Sequence, residues 1–199
     1  MLQSAFPILT FDERTLAPSL GYAFNPACLG PYESLVSMLW KFAWANRLPG
    51  HTVVSHAAKS TIDPYDGITA TLEDINAKRV ASTLHITQRS LRLSTHRADS
   101  GRLWCHDLRF CSRCMARGYH SVVHQFEGLQ RCPIHGTVLE TGCRSCGKAT
   151  RYHLNAKLID APFRCAQCGS RHSQGPTCIF ERSPLLQQDR TAITRTFLG

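Results

Sequence analysis

The sequence predicts a small α-rich α+β protein, in which an N-terminal helical, helix–turn–helix-like region is followed by tandem zinc fingers. Three observations lead to this prediction. Apolar residues recur at helical spacing in the first 100 residues. Residues 1–100 contain only one cysteine, Cys28, whereas residues 101–180 contain the other nine. Most of those nine stand in Cys-x-x-Cys pairs, which is the spacing typical of metal ligands.

The change in composition divides the 199-residue chain into three parts. We predict a helical region at 1–100, a zinc-finger region at 101–180 and a C-terminal tail at 181–199, with the first boundary at Asp99-Ser100-Gly101. The chain is 43% hydrophobic and 19% charged, which is typical of a globular protein and not of a disordered one.

The N-terminus does not resemble a secretion signal, because no basic residue precedes its short apolar stretch and Pro7 interrupts that stretch. The longest uncharged run, Thr15 to Tyr32, contains three prolines and cannot form a spanning helix. Paired metal-ligand cysteines without such a signal indicate a reducing compartment. We therefore expect a soluble cytoplasmic protein with no membrane partner.

The first predicted helix follows an extended lead-in at residues 1–30, which is rich in Pro and Gly and is expected to pack on the rest. The helix is predicted from Pro31 to Asn46, since Pro suits the first turn, Glu33 favours the start and Lys41 favours the end. Pro49-Gly50 is predicted to stop it. Six apolar residues share one face and predict core: Leu35, Val36, Leu39, Trp40, Phe42 and Ala43.

Residues Glu73 to Arg97 suggest a helix–turn–helix. The first helix would bury Val80, Ala81 and Leu84, and Thr87 would cap a second helix that runs to about His96. With Leu91 packed inward, the residues left available to a phosphate or a base edge are Arg89, Arg92 and His96. A three-helix domain that contacts no DNA has the same pattern, so this alternative stays open.

Eight residues form two sets with the spacing of zinc ligands. The first set is Cys111, Cys114, Cys132 and His135, and the second is Cys143, Cys146, Cys165 and Cys168. Each set consists of two knuckles, that is, pairs of ligands with two residues between them, and the two knuckles are separated by 17 or 18 residues. Gly147 and Gly169 follow two of the knuckles, where a positive φ eases hydrogen bonding from amides to sulfur. Two four-ligand sites leave no open position, so we predict two structural Zn²⁺ ions and no catalytic one.

His120 and His124 form an i, i+4 pair, a spacing that can hold a catalytic zinc. The metalloprotease signature has Glu after the first His, whereas Ser121 stands there in this chain. We favour a packing or hydrogen-bonding role for both histidines, with replacement of Cys132 and His135 as ligands as an alternative. Cys28, Cys105 and Cys178 are predicted to be ordinary thiols.

The net charge of +9 and the pI near 9.3 favour a polyanionic partner. Seven ligand thiolates add −7 and two Zn²⁺ ions add +4, which leaves the loaded protein near +6. The sequence therefore indicates non-specific binding to DNA, to RNA or to an assembly that carries them; good solubility is the alternative reading of the charge.

The run from Phe110 to Gly147 resembles the TniQ/TnsD family of transposon target-selection proteins. It reads Phe-Cys-x-x-Cys, then Tyr-His-Ser-x-x-His-Gln, then Cys-Pro-x-His-Gly-x-x-Leu, then Cys-x-x-Cys-Gly. Asp12-Glu13, the Leu35–Asn46 helix and the segment Leu84 to His96 are also similar to that family. The resemblance covers most of residues 6–172, and its most specific part is Cys132 to Gly136 beside Cys143 to Gly147.

The resemblance implies a non-enzymatic bacterial protein that links a target-site signal to an AAA+ ATPase regulator of the TnsC/TniB type. Some members read an attachment sequence themselves, while short members sit on a CRISPR effector that finds its target through guide RNA. In this chain His124 stands where many members carry an aromatic residue, and the sequence ends soon after the second finger. We therefore expect an adaptor of the short type, which associates with the nucleoid when assembled.

Partner contacts are expected at the helical region and at four basic residues of the finger loops, Arg113, Arg117, Arg144 and Arg151. Two other functions stay open at this point. One is an autonomous, sequence-specific DNA-binding regulator that uses the Thr87–His96 helix. The other is a zinc-dependent hydrolase or nuclease that uses His120 and His124.

Overall fold

A computed structural model describes residues 11–12, 17–18, 21–95, 103–179 and 184–198. In this part the helices are α1 (Leu35–Asn46), α2 (Gly50–Ala57), α3 (Ala77–Thr83), α4 (Gln88–Arg92), α5 (Ser112–Ala116), α6 (Ala156–Ile159) and α7 (Gln187–Leu198). Short 3₁₀ helices span Pro26–Cys28 and Val122–Gln125. The strands β1 (Phe11–Asp12) and β2 (Ala17–Pro18) form an antiparallel pair. The described chain is therefore rich in helix, as predicted, and no helix in it is long and apolar enough to cross a membrane.

Helix α1 begins later than its sequence suggested. Ser34 caps it by accepting a hydrogen bond from the Ser37 amide, and Arg47, in the left-handed region with φ 51°, ends it. Pro31 therefore precedes the helix and does not occupy its first turn. The predicted apolar face is confirmed as core, since all six of its residues are buried.

Pro49-Gly50, predicted to stop α1, lies beyond its Arg47 cap and starts α2, a helix that the sequence did not predict. Pro49 occupies the cap position, and Gly50 is the first helical residue. A Cβ atom at Gly50 would collide with the backbone of Ala156, so glycine is required where α2 approaches α6. The amide of Gly50 also donates to Asp160 Oδ1 at 2.6 Å, which fixes the contact between these two parts of the chain.

Helices α3 and α4 lie within the segment predicted as a helix–turn–helix. The side chain of Thr87 accepts a hydrogen bond from the Ser90 amide, so the predicted cap of the second helix is confirmed. Leu91 is fully buried, also as predicted. However, α4 is only five residues long and ends at Arg92, with Leu93 as its C-cap. The prediction that it runs to about His96 is wrong as far as Thr95, because residues 93–95 are not helical; His96 lies outside the described residues. The likeness of this pair to a DNA-binding helix–turn–helix stays a prediction.

The main hydrophobic core draws on both halves of the sequence. Helices α1 to α4 pack with a second group of buried side chains from further along the chain, which includes Leu108, Phe110, Met115, Leu154, Leu158 and Phe163. The Trp40 indole donates to the carbonyl oxygen of Leu158 at 2.6 Å across this core. Folding of the helical half is thus coupled to the segments that carry the cysteines.

A second, smaller core lies around the first cysteine group and contains part of the predicted tail. Ile193 of α7 is fully buried there with Tyr119 and Val122. The ring of Phe197 stacks on Tyr32 with 4.3 Å between centroids. The tail therefore contributes a helix that packs against the chain near the first cysteine group.

Candidate metal centres

The first cysteine group joins two turns of different kinds. Cys111 precedes α5 and Cys114 lies within it, so the helical turn places both sulfurs on one side. Cys132 and His135 lie in a tight turn closed by an antiparallel bridge between Arg131 and Val138. The three sulfurs and His135 Nδ1 all lie within 4.8 Å of one another. This group could therefore hold one metal ion.

The distances within the first group are those of atoms that surround a common point. His135 Nδ1 lies 3.4 Å from Cys111 Sγ, 3.3 Å from Cys114 Sγ and 3.7 Å from Cys132 Sγ. The sulfurs of Cys114 and Cys132 are 3.7 Å apart. All three cysteines are buried, so an ion here would be shielded from solvent.

The second group is built from two tight turns. Antiparallel bridges close them, between Gly142 and Ala149 and between Arg164 and Arg171. Their four sulfurs again lie within 4.8 Å of one another: Cys143, Cys146, Cys165 and Cys168. Across the group, Cys143 Sγ is 3.7 Å from Cys168 Sγ, and Cys146 Sγ is 3.8 Å from Cys165 Sγ. This group is more open than the first, since Cys168 is exposed.

The structure thus brings together the two sets of four residues that the spacing indicated, and each set could bind one metal ion. The three cysteines predicted to stay outside the sites belong to neither group: Cys28, Cys105 and Cys178.

Glycine closes the turns of the second group, as its sequence indicated. Gly147 and Gly169 both have φ 72°, which confirms the predicted positive φ. Their amides donate to the carbonyl oxygens of Cys143 and Cys165 at 2.7 and 2.9 Å. Within the same turns, the amide of Ser145 lies 3.4 Å from Cys143 Sγ, and that of Gln167 lies 3.4 Å from Cys165 Sγ. These amides point positive charge at sulfur, which favours the thiolate form.

Hydrogen bonds within the groups also shift the pKa values of individual thiols in opposite directions. Those from Cys114 and Cys132 hold the pKa of Cys111 well below its ordinary value, and the same contact raises the pKa of Cys114. In the second group, hydrogen bonds from Ser170 lower the pKa of Cys168 to about 6.

His120 and His124 are both fully buried, but they have different surroundings. His120 Nε2 lies 2.8 Å from the Arg109 carbonyl oxygen, which can only accept, so Nε2 carries the proton. Its Nδ1 then accepts from Ser34 Oγ at 2.7 Å. Burial lowers the pKa of His120 to about 4 and that of His124 to about 3, so both are neutral near pH 7. The hydrogen-bonding role predicted for His120 is confirmed, and neither histidine belongs to the two groups.

The predicted basic contact residues fall into two classes. Arg89 and Arg92 of α4 are exposed, as are Arg113 and Arg151 near the cysteine groups. The other two finger arginines form ion pairs. Arg117 Nη1 lies 3.0 Å from Asp189 Oδ2, and Arg144 binds Glu140 through two contacts of 2.5 and 2.7 Å. His96 lies outside the described residues.

Two arginines that sequence reading missed support the knuckles. Arg131 Nη1 donates to the carbonyl oxygen of Gly136 at 2.9 Å, across the turn that carries Cys132 and His135. Arg164 makes the same contact with Gly169 at 3.1 Å across the corresponding turn of the second group. The signal was present in the sequence, because an Arg directly before the knuckle and a Gly directly after it occur in both turns.

Comparison with known proteins identifies no relative: no protein-family model matches the chain, and no curated protein matches it. The structural basis for a functional proposal is therefore the two four-residue groups that could each hold a metal ion, within a helix-rich fold.

Proposed function

We propose that this protein is a zinc-stabilised, non-enzymatic adaptor for transposition target selection. It would link a target-DNA-bound complex, in our proposal an RNA-guided CRISPR effector, to an AAA+ ATPase regulator of the TnsC/TniB type. One observation carries the proposal: the Cys-Pro-x-His-Gly turn at Cys132–Gly136 and the Cys-x-x-Cys-Gly turn at Cys143–Gly147 each belong to a complete four-ligand group. These two turns, which lie next to each other in the sequence, are the most specific part of the TniQ/TnsD resemblance.

Zinc is the ion that fits both groups best. Tetrahedral Zn²⁺ with Zn–S near 2.3 Å and Zn–N near 2.0 Å requires S–S edges of about 3.8 Å and S–N edges of about 3.5 Å. The corresponding distances here are 3.7–3.8 Å between sulfurs and 3.3–3.7 Å from sulfur to His135 Nδ1. Thiolates and imidazole are also the ligands that zinc prefers.

A structural role for these ions is supported by the composition of each group. Four protein ligands fill a tetrahedral zinc, which leaves no position for a reacting water. His120, the first histidine of the alternative catalytic pair, has hydrogen bonds at both ring nitrogens. A hydrolase or nuclease built on His120 and His124 is therefore the less favoured function.

Contact with nucleic acid is supported by charge. The chain carries 23 basic and 14 acidic side chains, and exposed arginines occur on α4 and near both groups. Lys and Arg release condensed counterions when they contact phosphates, so binding would be weak and salt-sensitive without sequence preference. Such an adaptor would act in the bacterial cytoplasm, at the nucleoid once assembled.

A second candidate function rests on α4. Arg89 and Arg92 are exposed on this short capped helix while Leu91 anchors it, so an autonomous DNA-binding regulator could use both guanidinium groups to contact DNA. A specific footprint made by the protein alone would favour this function over the adaptor.

The test of the proposal is transposition with the complete machinery, with and without this protein. We expect loss of insertion at the programmed target when the protein is omitted, and we expect it to bind the AAA+ ATPase of its own transposon. Insertion that stays equally frequent and accurate without it would reject the adaptor function. A matched footprinting experiment with the protein alone separates the adaptor from the regulator.

A further inference from the structure

His124 lies directly beside the first metal group without belonging to it. Its ring is fully buried, and its Nε2 is 3.7 Å from Cys132 Sγ. The other ring nitrogen, Nδ1, is also buried and has no hydrogen-bond partner among the described residues. A buried polar side chain aimed at a sulfur, with nothing to bind on its other side, requires an explanation.

The backbone holds His124 in this position. It lies in the 3₁₀ helix Val122–Gln125, which Ser121 caps by accepting from the Val123 amide. The His124 amide donates to the Ser121 carbonyl oxygen at 3.1 Å. On its other side the ring lies edge-on to His120, with 5.3 Å between centroids. The imidazole is therefore fixed between the metal group and a neighbouring buried ring.

The neighbours of the two ring nitrogens of His124 indicate which nitrogen carries the proton. A neutral imidazole has one N–H and one lone pair. At Nδ1 an N–H would have no acceptor, whereas at Nε2 it points at a sulfur that accepts once it is a thiolate. Metal binding requires that thiolate form. The Nε2–H tautomer is thus the one that suits a loaded site.

We infer that His124 is a positioning residue of the first metal site, which donates its Nε2–H to the Cys132 thiolate and strengthens metal binding there. The inference rests on the zinc sites of the proposed function. It also distinguishes the two groups, since the sulfurs of Cys143 and Cys165 in the second group have backbone amides as neighbouring donors. Removal of the His124 side chain should therefore weaken metal binding at the first site and leave the second site unchanged.

The test uses the full-length, metal-loaded protein and its His124→Leu and His124→Gln variants. Leu fills most of the volume without a donor, while the Gln side chain retains an amide N–H. Metal affinity is measured by competition with a chromophoric chelator. Cadmium-113 NMR identifies which site has lost its ion, since a site with three sulfurs and one nitrogen differs from one with four sulfurs.

We expect His124→Leu to lower the affinity of the first site by about 10- to 100-fold, as is usual when a hydrogen-bond partner of a metal ligand is removed. The second site should be unchanged, and His124→Gln should recover part of the loss. Equal metal affinities in the wild type and the Leu variant, or equal weakening of both sites, would overturn the inference about His124. Neither result would contradict the proposed zinc sites themselves. A wild-type protein that binds no metal would reject both.

A second measurement needs no variant and so does not depend on whether the substitutions fold. Long-range ¹H–¹⁵N spectra of the zinc-loaded wild type report the tautomer of each histidine. We expect His124 as a neutral ring protonated at Nε2. A proton at Nδ1, or on both nitrogens, would contradict the assigned hydrogen bond even if two zinc ions are present.

Discussion

Lys41 and Glu33 form an ion pair with both side chains fully excluded from solvent and 2.7 Å between Nζ and Oε1. Every charged atom has further partners. The ammonium donates to the Cys28 carbonyl oxygen at 2.7 Å, and the carboxylate accepts from Ser37 Oγ at 2.6 Å and from the Gly30 amide at 2.8 Å. The pair therefore attaches the segment before α1 to the helix itself.

Removing one partner of this pair should be strongly destabilising. In Lys41→Met the Glu33 carboxylate stays buried without its counter-charge, and such a loss costs about 3–5 kcal/mol. We expect the free energy of unfolding, measured by chemical denaturation of the metal-loaded protein, to fall by that amount.

The control is the double variant Glu33→Gln/Lys41→Met, which removes both charges. It should recover a substantial part of the stability, because no uncompensated charge remains buried. A single variant that loses less than about 1 kcal/mol would mean that water reaches Glu33, in conflict with its burial.

Metal stoichiometry provides a second prediction. Cys146→Ser removes one of four potential ligands from the second group, so we expect this variant to bind one zinc ion and the wild type to bind two. The span around this group should also lose its protection against proteases, since binding of a structural zinc contributes about 10 kcal/mol or more to folding. Elemental analysis and limited proteolysis check both parts.

The matched control is Cys178→Ser, which changes an exposed cysteine outside both groups. This variant should keep two zinc ions and wild-type protease resistance. If Cys146→Ser also retained two ions, the second group would not be the binding site.

The cysteine groups could be found from sequence because their signal is local. Each knuckle fixes two ligand atoms within one turn, and the spacing of Cys111 and Cys114 repeats in Cys143 and Cys146. The cap at Thr87 was equally local, since a hydroxyl side chain reaches the amide three residues on.

The features that sequence reading missed depend on contacts between distant segments. The sequence indicates only that Glu33 and Lys41 suit the two ends of a helix, whereas in the structure both are buried and Lys41 donates to the lead-in backbone at Cys28. The local sequence at Pro49-Gly50 is typical of a helix stop. Glycine is needed there to begin a second helix because Ala156, distant in sequence, lies against it. No local pattern contains that information.

Helix α7 leads to a third prediction. Ile193 is fully buried in the second core, so Ile193→Ala should lower the free energy of unfolding by about 2–5 kcal/mol. Thr191→Ala, on the exposed side of the same helix, should change it by less than about 0.5 kcal/mol. Equal, small effects in both variants would show that α7 does not pack on the chain in solution.

The exposed arginines give the last prediction, and the ion pairs supply its control. Arg113 and Arg151 are exposed and have no ion-pair partner among the described residues, whereas the charge of Arg144 is neutralised by Glu140. Each substitution Arg113→Ala, Arg151→Ala or Arg144→Ala removes one positive charge, so the net charge of the three variants is the same. Any difference in binding must then come from the position of the charge.

We expect Arg113→Ala and Arg151→Ala to weaken binding to a duplex of arbitrary sequence, measured by fluorescence anisotropy at several salt concentrations. Each free arginine that contacts a phosphate contributes about 0.9 to the slope of log affinity against log salt, so each variant should reduce the slope by about that amount. Arg144→Ala should change it less, because Glu140 already occupies its guanidinium through two contacts. Equal reductions in all three variants would mean that only net charge matters. An affinity that does not depend on salt concentration would show that these arginines do not contact phosphates.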